Sequence, residues 1–410
     1  MSLESVITKS DYYIDLETHC GAHNYHPLPV VLQKGEGIFV WDVEGRRYFD
    51  FLSAYSAVNQ GHCHPKIIST LVAQAQKLTL TSRAFYSAAL AEFSEYITRY
   101  FGYDKVLPMN TGAEGVETAL KLCRHWGYRV KKIPENKAKI IVCEGNFHGR
   151  TLGIVSFSTD PGSKKDFGPF LSGFEIIPYN DLPALSRVLQ DPDIAGFLVE
   201  PIQGEAGVVL PDDGYLAKAK QYCEDANVLF IADEIQTGLC RTGKPLACDH
   251  EKVRPDILIL GKALSGGTLP ISAVLADDSI MLTLQPGEHG STYGGNPLAS
   301  KIAITSLEVL QQEKMAENAE AMGGYFREGL ARLNSPHILE IRGKGLLNAI
   351  VIGHHDPQAA WNLCMEMKKN GLLAKPTHGD KIRFAPPLII NQEALSESLQ
   401  IIEKSLKVLD

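Results

Sequence analysis

Asp233 and Lys262 are the two residues of this sequence whose types and positions point most directly to chemistry. Each follows a short run of apolar, largely β-branched residues. A carboxylate and a lysine held at neighbouring strand ends suit pyridoxal phosphate, because the lysine can form a Schiff base while the carboxylate keeps the pyridine nitrogen protonated. An ion pair at the end of a sheet explains the same spacing, so the pair alone leaves both interpretations open.

Four short apolar runs in the middle of the chain determine where such side chains lie. They cover 139–143, 196–200, 228–232 and 257–260, and helical patterns separate them. This alternation is typical of βαβ units, which build a mostly parallel sheet. Ligands of such sheets bind beyond the carboxyl ends of the strands, so we expect the chemistry in the segments that follow these runs.

Helical patterns cover 88–101, 115–130 and a long stretch from 297 to about 333. After this stretch the pattern changes to a mixture of short elements. The segment 343–352 belongs to this mixture, a strand-like run covers 381–385, and helical patterns cover 357–369 and 392–408. The mixture predicts a compact α+β tail, with a domain boundary near residue 300.

Composition excludes several classes of protein. The 410 residues include 48 acidic and 40 basic side chains, for a net charge of −8, and 44% of the residues are hydrophobic. The mean hydropathy is −0.07 and the isoelectric point about 5.9. These values are typical of a globular enzyme and disfavour a membrane protein, a disordered chain or a nucleic-acid-binding protein.

Eight cysteines are spread along the chain without a Cys-x-x-Cys pair. This pattern predicts reduced thiols in a reducing compartment. Residues 1–15 contain neither an apolar run nor an arginine-rich pattern, so they resemble neither a signal peptide nor a transit sequence. We therefore expect a cytoplasmic protein, although a mitochondrial presequence removed from the chain would leave no trace.

Several motifs resemble those of the class III, ω-type aminotransferases. The six that carry most of the resemblance are NTGAE at 110–114, NFHGRT at 146–151, EPIQGE at 200–205, ADEIQTG at 232–238, GKALSGG at 261–267 and GSTYGGNP at 290–297. Further similar segments lie at 24–27, 53–62, 342–350 and 383–387. The resemblance therefore extends from about residue 24 into the C-terminal tail.

The resemblance implies an α/β fold of the fold-type I pyridoxal-phosphate-dependent transferases. Such a chain has an N-terminal segment (1–54), a large cofactor-binding domain with a mostly parallel seven-stranded sheet (55–300), and a small α+β C-terminal domain (301–410). It also implies a homodimer with the active site at the interface. The implied partners are small-molecule substrates, with no nucleic acid, membrane or metal.

The resemblance assigns cofactor-binding roles to five residues around the pyridine ring. Lys262 carries the cofactor and Asp233 pairs with the ring nitrogen, while Gln236 bonds the ring hydroxyl. Phe147 stacks on one face of the ring and Ile235 packs on the other.

Phosphate binding is implied for Gly112, Ala113 and Thr292, the last of these acting in the partner subunit's site. Residues 111–112 open a helical pattern, and backbone N–H groups at a helix N-terminus bind anions well. By itself, however, Gly112 is more often only a turn glycine.

The resemblance also implies the substrates, L-ornithine and 2-oxoglutarate. Arg150 holds a carboxylate of each, since a guanidinium matches a carboxylate in a bidentate pair. Arg383 is masked by Glu205 while ornithine is bound and is then freed for 2-oxoglutarate. Tyr25 and Tyr55 shape the ornithine pocket. Without the family, a surface ion pair is the simpler interpretation of Glu205 and Arg383.

His148 departs from the familiar pattern, which has another aromatic residue, often Trp, beside the stacking Phe147. Two further motifs predict little. Residues 238–244 imitate a phosphate-binding loop, but Pro245 stands where Ser or Thr must hold magnesium. His62 and His64 lack further ligands at a known metal spacing, so we expect a structural loop there.

Three other functions remain open from the sequence. The chain could be a sister ω-aminotransferase that acts on acetylornithine or 4-aminobutyrate. It could also be a same-fold aminomutase, which needs no second substrate, or a binding protein that has lost catalysis. Tyr25, Tyr55 and Glu205 argue against the sister enzymes, and Lys262 with Asp233 argues against the binding protein.

Overall fold

The structure is a computed structural model that describes residues 8–410. Residues 1–7 lie outside the described residues. They are part of the predicted N-terminal segment and of the stretch in which we expected no targeting sequence. The N-terminal elements are α1 (Lys9–Cys20), β1 (Leu32–Glu36), β2 (Phe39–Asp42), β3 (Arg47–Asp50), the four-residue turn α2 (Ser53–Ser56), α3 (Pro65–Lys77) and α4 (Ala88–Phe101).

The central part of the chain alternates strands and helices, as the sequence predicts. Its strands are β4 (Lys105–Met109), β5 (Lys139–Cys143), β6 (Phe174–Ile177), β7 (Ile194–Val199), β8 (Leu229–Asp233), β9 (Ile257–Leu260) and β10 (Ser272–Ala276). Its helices are α5 (Gly112–Arg129), α6 (Leu152–Val155), α7 (Pro161–Lys164), α8 (Leu182–Val188), α9 (Tyr215–Asp225) and α10 (Asp278–Met281).

These strands form one seven-stranded sheet in the order β4-β10-β9-β8-β7-β5-β6. β10 is antiparallel to both of its neighbours, and the remaining pairs are parallel. Every residue of β7, β8 and β9 is buried. Helices covering both faces explain why these strands are continuous apolar runs rather than alternating ones. The predicted fold class is confirmed.

The C-terminal part contains α11 (Pro297–Gln312), α12 (Met315–Arg332), β11 (Ile338–Lys344), β12 (Leu347–Ile352), α13 (Ala359–Asn370), β13 (Leu372–Leu373), β14 (Lys375–Thr377), β15 (Lys381–Phe384) and α14 (Gln392–Leu406). The long helix expected from 297 to 333 is therefore two helices. They separate at Lys314, whose φ of 50° is incompatible with a continuous right-handed helix. The segment 343–352, to which the sequence assigned no element type, is the end of β11, a turn and β12.

The N- and C-terminal parts of the chain contribute to one sheet and to one apolar cluster. β13 pairs with β3 in the sheet β1-β2-β3-β13, while β11-β12-β15-β14 form a separate sheet. A single apolar cluster contains residues from Phe49 to Leu409. No described helix is long and apolar enough to cross a membrane.

Arg241 joins three distant parts of the chain inside this core. Its side chain is fully buried, and Nη1 donates to the carbonyls of Leu346, at 3.0 Å, and Pro386, at 2.7 Å. Its Nη2 donates to Oδ1 of Asn59 at 2.6 Å. Among the described residues, no carboxylate lies within salt-bridge distance of this guanidinium.

Candidate active site

A cleft opens at the carboxyl ends of β5, β7, β8 and β9, where the parallel sheet predicts a ligand site. Its inner part is a cavity of about 140 Å³. The lining residues include Gly112, Ala113, Phe147, His148, Glu200, Asp233, Ile235, Gln236 and Lys262. Seven residues predicted to bind a cofactor therefore line one cavity, although they come from four separate segments of the sequence.

Lys262 follows β9 after a single intervening residue, Gly261, and begins a short 3-10 turn, with a φ of 43°. Burial lowers the pKa of its ammonium group because the charged form loses hydration. The carboxylates of Glu205, Asp233 and Glu200 oppose this shift, whereas Arg383 adds to it. The neutral amine is therefore more accessible than in an ordinary lysine, which suits attack on an aldehyde.

Asp233 is the last residue of β8 and is 4% exposed. Its Oδ1 accepts a hydrogen bond from the Ile235 N–H at 3.1 Å, and its Oδ2 accepts one from Nδ1 of His148 at 2.7 Å. Burial opposes protonation of His148, but the bond to Asp233 outweighs it and raises the imidazole pKa. The carboxylate is therefore held in one orientation at the cavity floor.

The N-terminus of α5 forms another wall of the cavity. Thr111 caps the helix in a reciprocal capping box with Glu114, and Gly112 is the first helical residue. A Cβ on Gly112 would lie 3.1 Å from Cδ1 of Ile235, so glycine keeps the space beside this residue open. The positive end of an 18-residue helix consequently faces the cavity, as a phosphate site requires.

These observations fit pyridoxal phosphate. The cavity combines a lysine of lowered pKa, an oriented buried carboxylate and a helix N-terminus, which match the aldehyde, the pyridine nitrogen and the phosphate. Phe147 and Ile235 supply apolar surface in the same cavity. The ligand roles of the individual residues stay predictions.

Glu205 and Arg383 form an ion pair beside this cavity, with 2.6 Å between Oε1 and Nη1. Arg383 lies on β15 and is 5% exposed, so this is not the surface pair expected without the family. Gln236 braces the pair, because its Nε2 donates to Oε1 of Glu205 at 3.1 Å and its Oε1 accepts from Arg383 at 3.4 Å. The Arg383 partner lowers the pKa of Glu205 despite burial, which keeps the carboxylate ionised.

An outer cavity of about 480 Å³ adjoins the inner one at Phe147 and His148. Arg150 and Glu205 line it. The Arg150 guanidinium lies 5.8 Å from the ring centres of both Tyr25 and Phe147. Among the described residues it has no carboxylate within salt-bridge distance, so it is available to an anionic substrate.

Tyr55 lies in α2, a turn whose four residues all have positive φ. This left-handed geometry is costly for residues with a Cβ. It brings the Tyr55 ring to 5.1 Å from the Arg383 guanidinium. Burial, followed by the charge of Glu205, raises the phenol pKa. Tyr25 is 65% exposed and contacts the site through Arg150.

Thr292 does not line the cavity with the other predicted cofactor residues. It is exposed, and the preceding Ser291 accepts a hydrogen bond from Nδ2 of Asn110 at 2.9 Å. This position is compatible with the expected role in a partner's site, but the single chain does not test that role.

The sequence assigned no role to His148 or Glu200, although both line the inner cavity. The sequence left open how His148 affects the pocket wall beside Phe147. Its imidazole points to Asp233 and is buried. Both residues belong to motifs that carry the family resemblance, and the signal for them was their position in the segments that follow β5 and β7.

The two other motifs have structural roles. Residues 238–244 form a loop around Arg241 rather than a phosphate site. His62 pairs with Asp50 at 2.7 Å, and His64 pairs with Glu313 at 3.0 Å. Residues 8–410 contain no group of three side chains that could hold a metal. All eight cysteines are free in the structure.

Comparison with known proteins identifies the family. The class-III aminotransferase model matches residues 20–406. The mitochondrial ornithine aminotransferase of Rattus norvegicus is 63% identical over 397 residues, covering 97% of this chain and 90% of the rat protein.

Solved structures agree. The ornithine aminotransferase of Toxoplasma gondii, which holds PLP at partial occupancy in its active site, is 48% identical, with a TM-score of 0.96 and coverage of 98% and 95% of the two chains. An acetylornithine aminotransferase of Elizabethkingia anophelis is 57% identical, with a TM-score of 0.90 and coverage of 98% and 100%. With its lysine, carboxylate and helix N-terminus assembled in one cleft, the chain belongs to the pyridoxal-phosphate-dependent class-III aminotransferases.

Proposed function

We propose that this enzyme transfers the δ-amino group of L-ornithine to 2-oxoglutarate, giving glutamate 5-semialdehyde and glutamate. The observation that carries the proposal is the pairing of Glu205 with Arg383 beside an unpaired Arg150. The site thus presents one free guanidinium to a substrate with one carboxylate, and a second can be released for a dicarboxylate. The names of the rat and Toxoplasma relatives support the same substrate.

Bound pyridoxal phosphate supplies an electron sink that stabilises the carbanion formed when the substrate loses a proton. Asp233, oriented by His148, keeps a negative charge at the position of the ring nitrogen. The Lys262 amine, whose pKa is lowered by burial, can accept and return a proton on the substrate carbon. Lys262 is thus both the attachment residue and the general base.

Substrate orientation follows from the charges at the cleft mouth. Arg150 binds the ornithine carboxylate, which directs the distal δ-amino group toward Lys262. Glu205 neutralises Arg383 while ornithine is bound, so the ornithine carboxylate has a single binding site, Arg150. When 2-oxoglutarate binds, its second carboxylate replaces Glu205 on Arg383. The exchange keeps the desolvated Arg383 guanidinium paired, because a buried charge without a partner is costly.

A coupled assay tests the function. Purified protein with PLP, L-ornithine and 2-oxoglutarate should form glutamate 5-semialdehyde, which cyclises and is detected by its chromogenic adduct. Omitting 2-oxoglutarate should stop turnover after one half-reaction. Continued turnover without it would indicate an aminomutase and contradict the proposal.

Acetylornithine is the second candidate substrate, because the Elizabethkingia protein named for it is 57% identical over nearly the whole chain. N-acetylation removes the positive charge of the α-amino group. Tyr25 and Tyr55 flank Arg150 and Arg383, where a phenol can bond that charged group. We therefore expect a higher kcat/KM for ornithine than for acetylornithine.

Phenylalanine at either tyrosine should narrow this preference, since it removes the hydroxyl and keeps the ring. The two substrates are compared at saturating 2-oxoglutarate. Equal losses of kcat/KM on both would remove the tyrosines from substrate selection, and a wild-type preference for acetylornithine would favour the sister activity.

We also propose a homodimer in which Thr292 completes the partner's phosphate site. Thr292 lies outside its own cavity, and its neighbour Tyr293 is 58% exposed. Phe85 and Tyr86 are 73% and 106% exposed, which is unusual for aromatic side chains in a monomer. A second copy of the chain would bury these rings.

The cytoplasmic location stays a proposal. Eight free thiols support a reducing compartment, but the rat relative is named as mitochondrial. Fractionation of the source cells with compartment markers distinguishes the two locations.

A further inference from the structure

Glu200 is a buried carboxyl group that the proposed reaction does not use. It directly follows β7, is 7% exposed and lines the inner cavity with Lys262 and Asp233. Its backbone is fixed as well, because the Tyr179 hydroxyl lies 3.2 Å from the Glu200 carbonyl and 2.9 Å from that of Pro201. Such a group needs an explanation, since burying a carboxyl is costly unless its oxygens are paired.

The two oxygens of Glu200 are bonded to two different segments of the site. Oε1 accepts the Phe147 N–H at 2.8 Å, and Oε2 accepts the Gly204 N–H at 3.3 Å. Phe147 belongs to the turn that covers the cofactor cavity. Gly204 directly precedes Glu205, which masks Arg383. One side chain thus connects the two turns.

The Gly204 turn has little freedom to move by itself. A Cβ on Gly204 would lie 1.9 Å from Oε1 of Gln236, so the backbone approaches Gln236 as closely as a glycine allows. Gln236 in turn braces Glu205 and Arg383. The position of Gly204 therefore affects both members of the ion pair.

We propose that Glu200 is a positioning residue that holds the Phe147 turn and the Gly204–Glu205 turn together, so that seating of the cofactor and masking of Arg383 depend on one another. The inference rests on the proposed function for the masking role. Burial raises the pKa of Glu200 to about 7, against the opposing effects of His148 and of the Phe147 and Gly204 N–H groups.

Glu200→Gln tests the connection, because an amide has one acceptor oxygen and can satisfy only one of the two N–H donors. We expect the dissociation constant for PLP, titrated into the apoprotein, to rise about tenfold. We also expect more ornithine to react through its α-amino group, measured by product analysis. Hydrogen exchange should quicken at whichever of the two amides, that of Phe147 or that of Gly204, loses its acceptor.

Glu234→Gln is the matched control. Glu234 is also fully buried, but it bonds Cys248 N–H at 2.8 Å and the Thr237 hydroxyl, away from both turns. This variant should lower Tm without changing product ratio or exchange at Phe147. If Glu200→Gln does not fold, Glu200→Asp keeps both acceptors on a shorter side chain and should give smaller changes in the same direction.

Unchanged exchange protection at both amides in the Glu200→Gln protein would overturn the proposal. A lower Tm with unchanged PLP affinity and product ratio would do the same. Failure of the proposed function can be told apart from failure of this inference. Wild-type protein would then form no semialdehyde, whereas the exchange measurement would still test whether Glu200 holds the two turns together.

Discussion

His148 illustrates how a single buried contact can organise a site. The sequence showed an unusual neighbour for Phe147, and its direction could not be deduced because it depends on the path of the chain between β5 and β8. In the structure the imidazole is the second bonded partner of Asp233, and its other nitrogen, Nε2, is buried without a partner among the described residues. The residue types of the site were predictable, whereas this hydrogen bond was not.

His148→Gln should change the pH dependence of stability. The pKa of His148 is raised in the folded protein, so its pairing with Asp233 stabilises the fold below the ordinary histidine pKa of about 6.5 and is lost as the pH rises through the folded value. The excess Tm of wild type over the variant should therefore shrink with rising pH. Thermal unfolding from mildly acid to mildly alkaline buffers measures it.

His250→Gln gives the opposite sign and serves as the comparison. Burial lowers the pKa of His250, whose Nε2 donates to the Thr242 carbonyl at 2.9 Å. Its neutral form is favoured in the folded state, so the excess Tm of wild type should grow with rising pH. Parallel trends in the two variants would contradict the assignment for His148.

Removing either member of the Glu205–Arg383 pair should damage different half-reactions. Arg383→Ala should slow the 2-oxoglutarate half-reaction about 100-fold, because the second carboxylate loses its partner. Glu205→Ala should spare the glutamate half-reaction and let ornithine react through its α-amino group. Single-turnover absorbance measurements of each half-reaction separate these effects.

Arg342→Ala provides the control for the loss of an arginine in the same small sheet. Arg342 pairs with Glu340 at 2.6 Å, and the two side chains are 22% and 51% exposed. Exposed pairs contribute little, so both half-reactions should keep their rates. Unchanged 2-oxoglutarate kinetics in Arg383→Ala would refute the exchange of partners.

At the scale of elements, the sequence predicted the strands of the central sheet well. The predicted runs at 139–143 and 257–260 coincide with β5 and β9. Strands buried on both faces are continuous apolar runs, and such runs are easy to detect. The sequence did not predict the break between α11 and α12, because lysine, the residue type at position 314, does not favour a positive φ. β11 was missed because it is only partly buried.

Thr111→Ala tests the helix that forms the phosphate wall. Loss of the cap on α5 should destabilise its first turn by about 1 kcal/mol and weaken PLP binding roughly fivefold. Thr8→Ala removes the same kind of capping box from α1, which has no buried residue. Titration of both apoproteins with PLP should show weaker binding for the Thr111 variant alone, and equal affinities would separate the cap from the phosphate site.

At the scale of the whole molecule, the site is proposed to need two chains. The division at residues 54 and 300 stays a prediction, and the boundary at 300 falls inside α11. A single sequence could not place Thr292 in either site, because the atoms that it is proposed to contact belong to another molecule. The family resemblance, rather than any local pattern, suggested that role.

Hybrid dimers test the exchange of Thr292. A Lys262→Ala chain should bind no cofactor covalently, and a Thr292→Ala dimer should bind PLP weakly. In a mixed dimer, the intact Lys262 lies in the Thr292→Ala chain and receives Thr292 from the other chain. That one site should regain wild-type PLP affinity, measured on differentially tagged hybrids. Affinity no better than in the Thr292→Ala dimer would place Thr292 in its own chain's site.

Arg241 limits how this architecture can be recombined. Its guanidinium donates hydrogen bonds to the side chain of Asn59 before β4, to a carbonyl between β11 and β12, and to another carbonyl after β15. A chimera that took its C-terminal part from a distant relative would have to reproduce both carbonyl positions, or leave a buried cation without acceptors. Exchange of segments between diverged members is therefore disfavoured. Variation in such a chain should accumulate by point substitution, with the three parts inherited together.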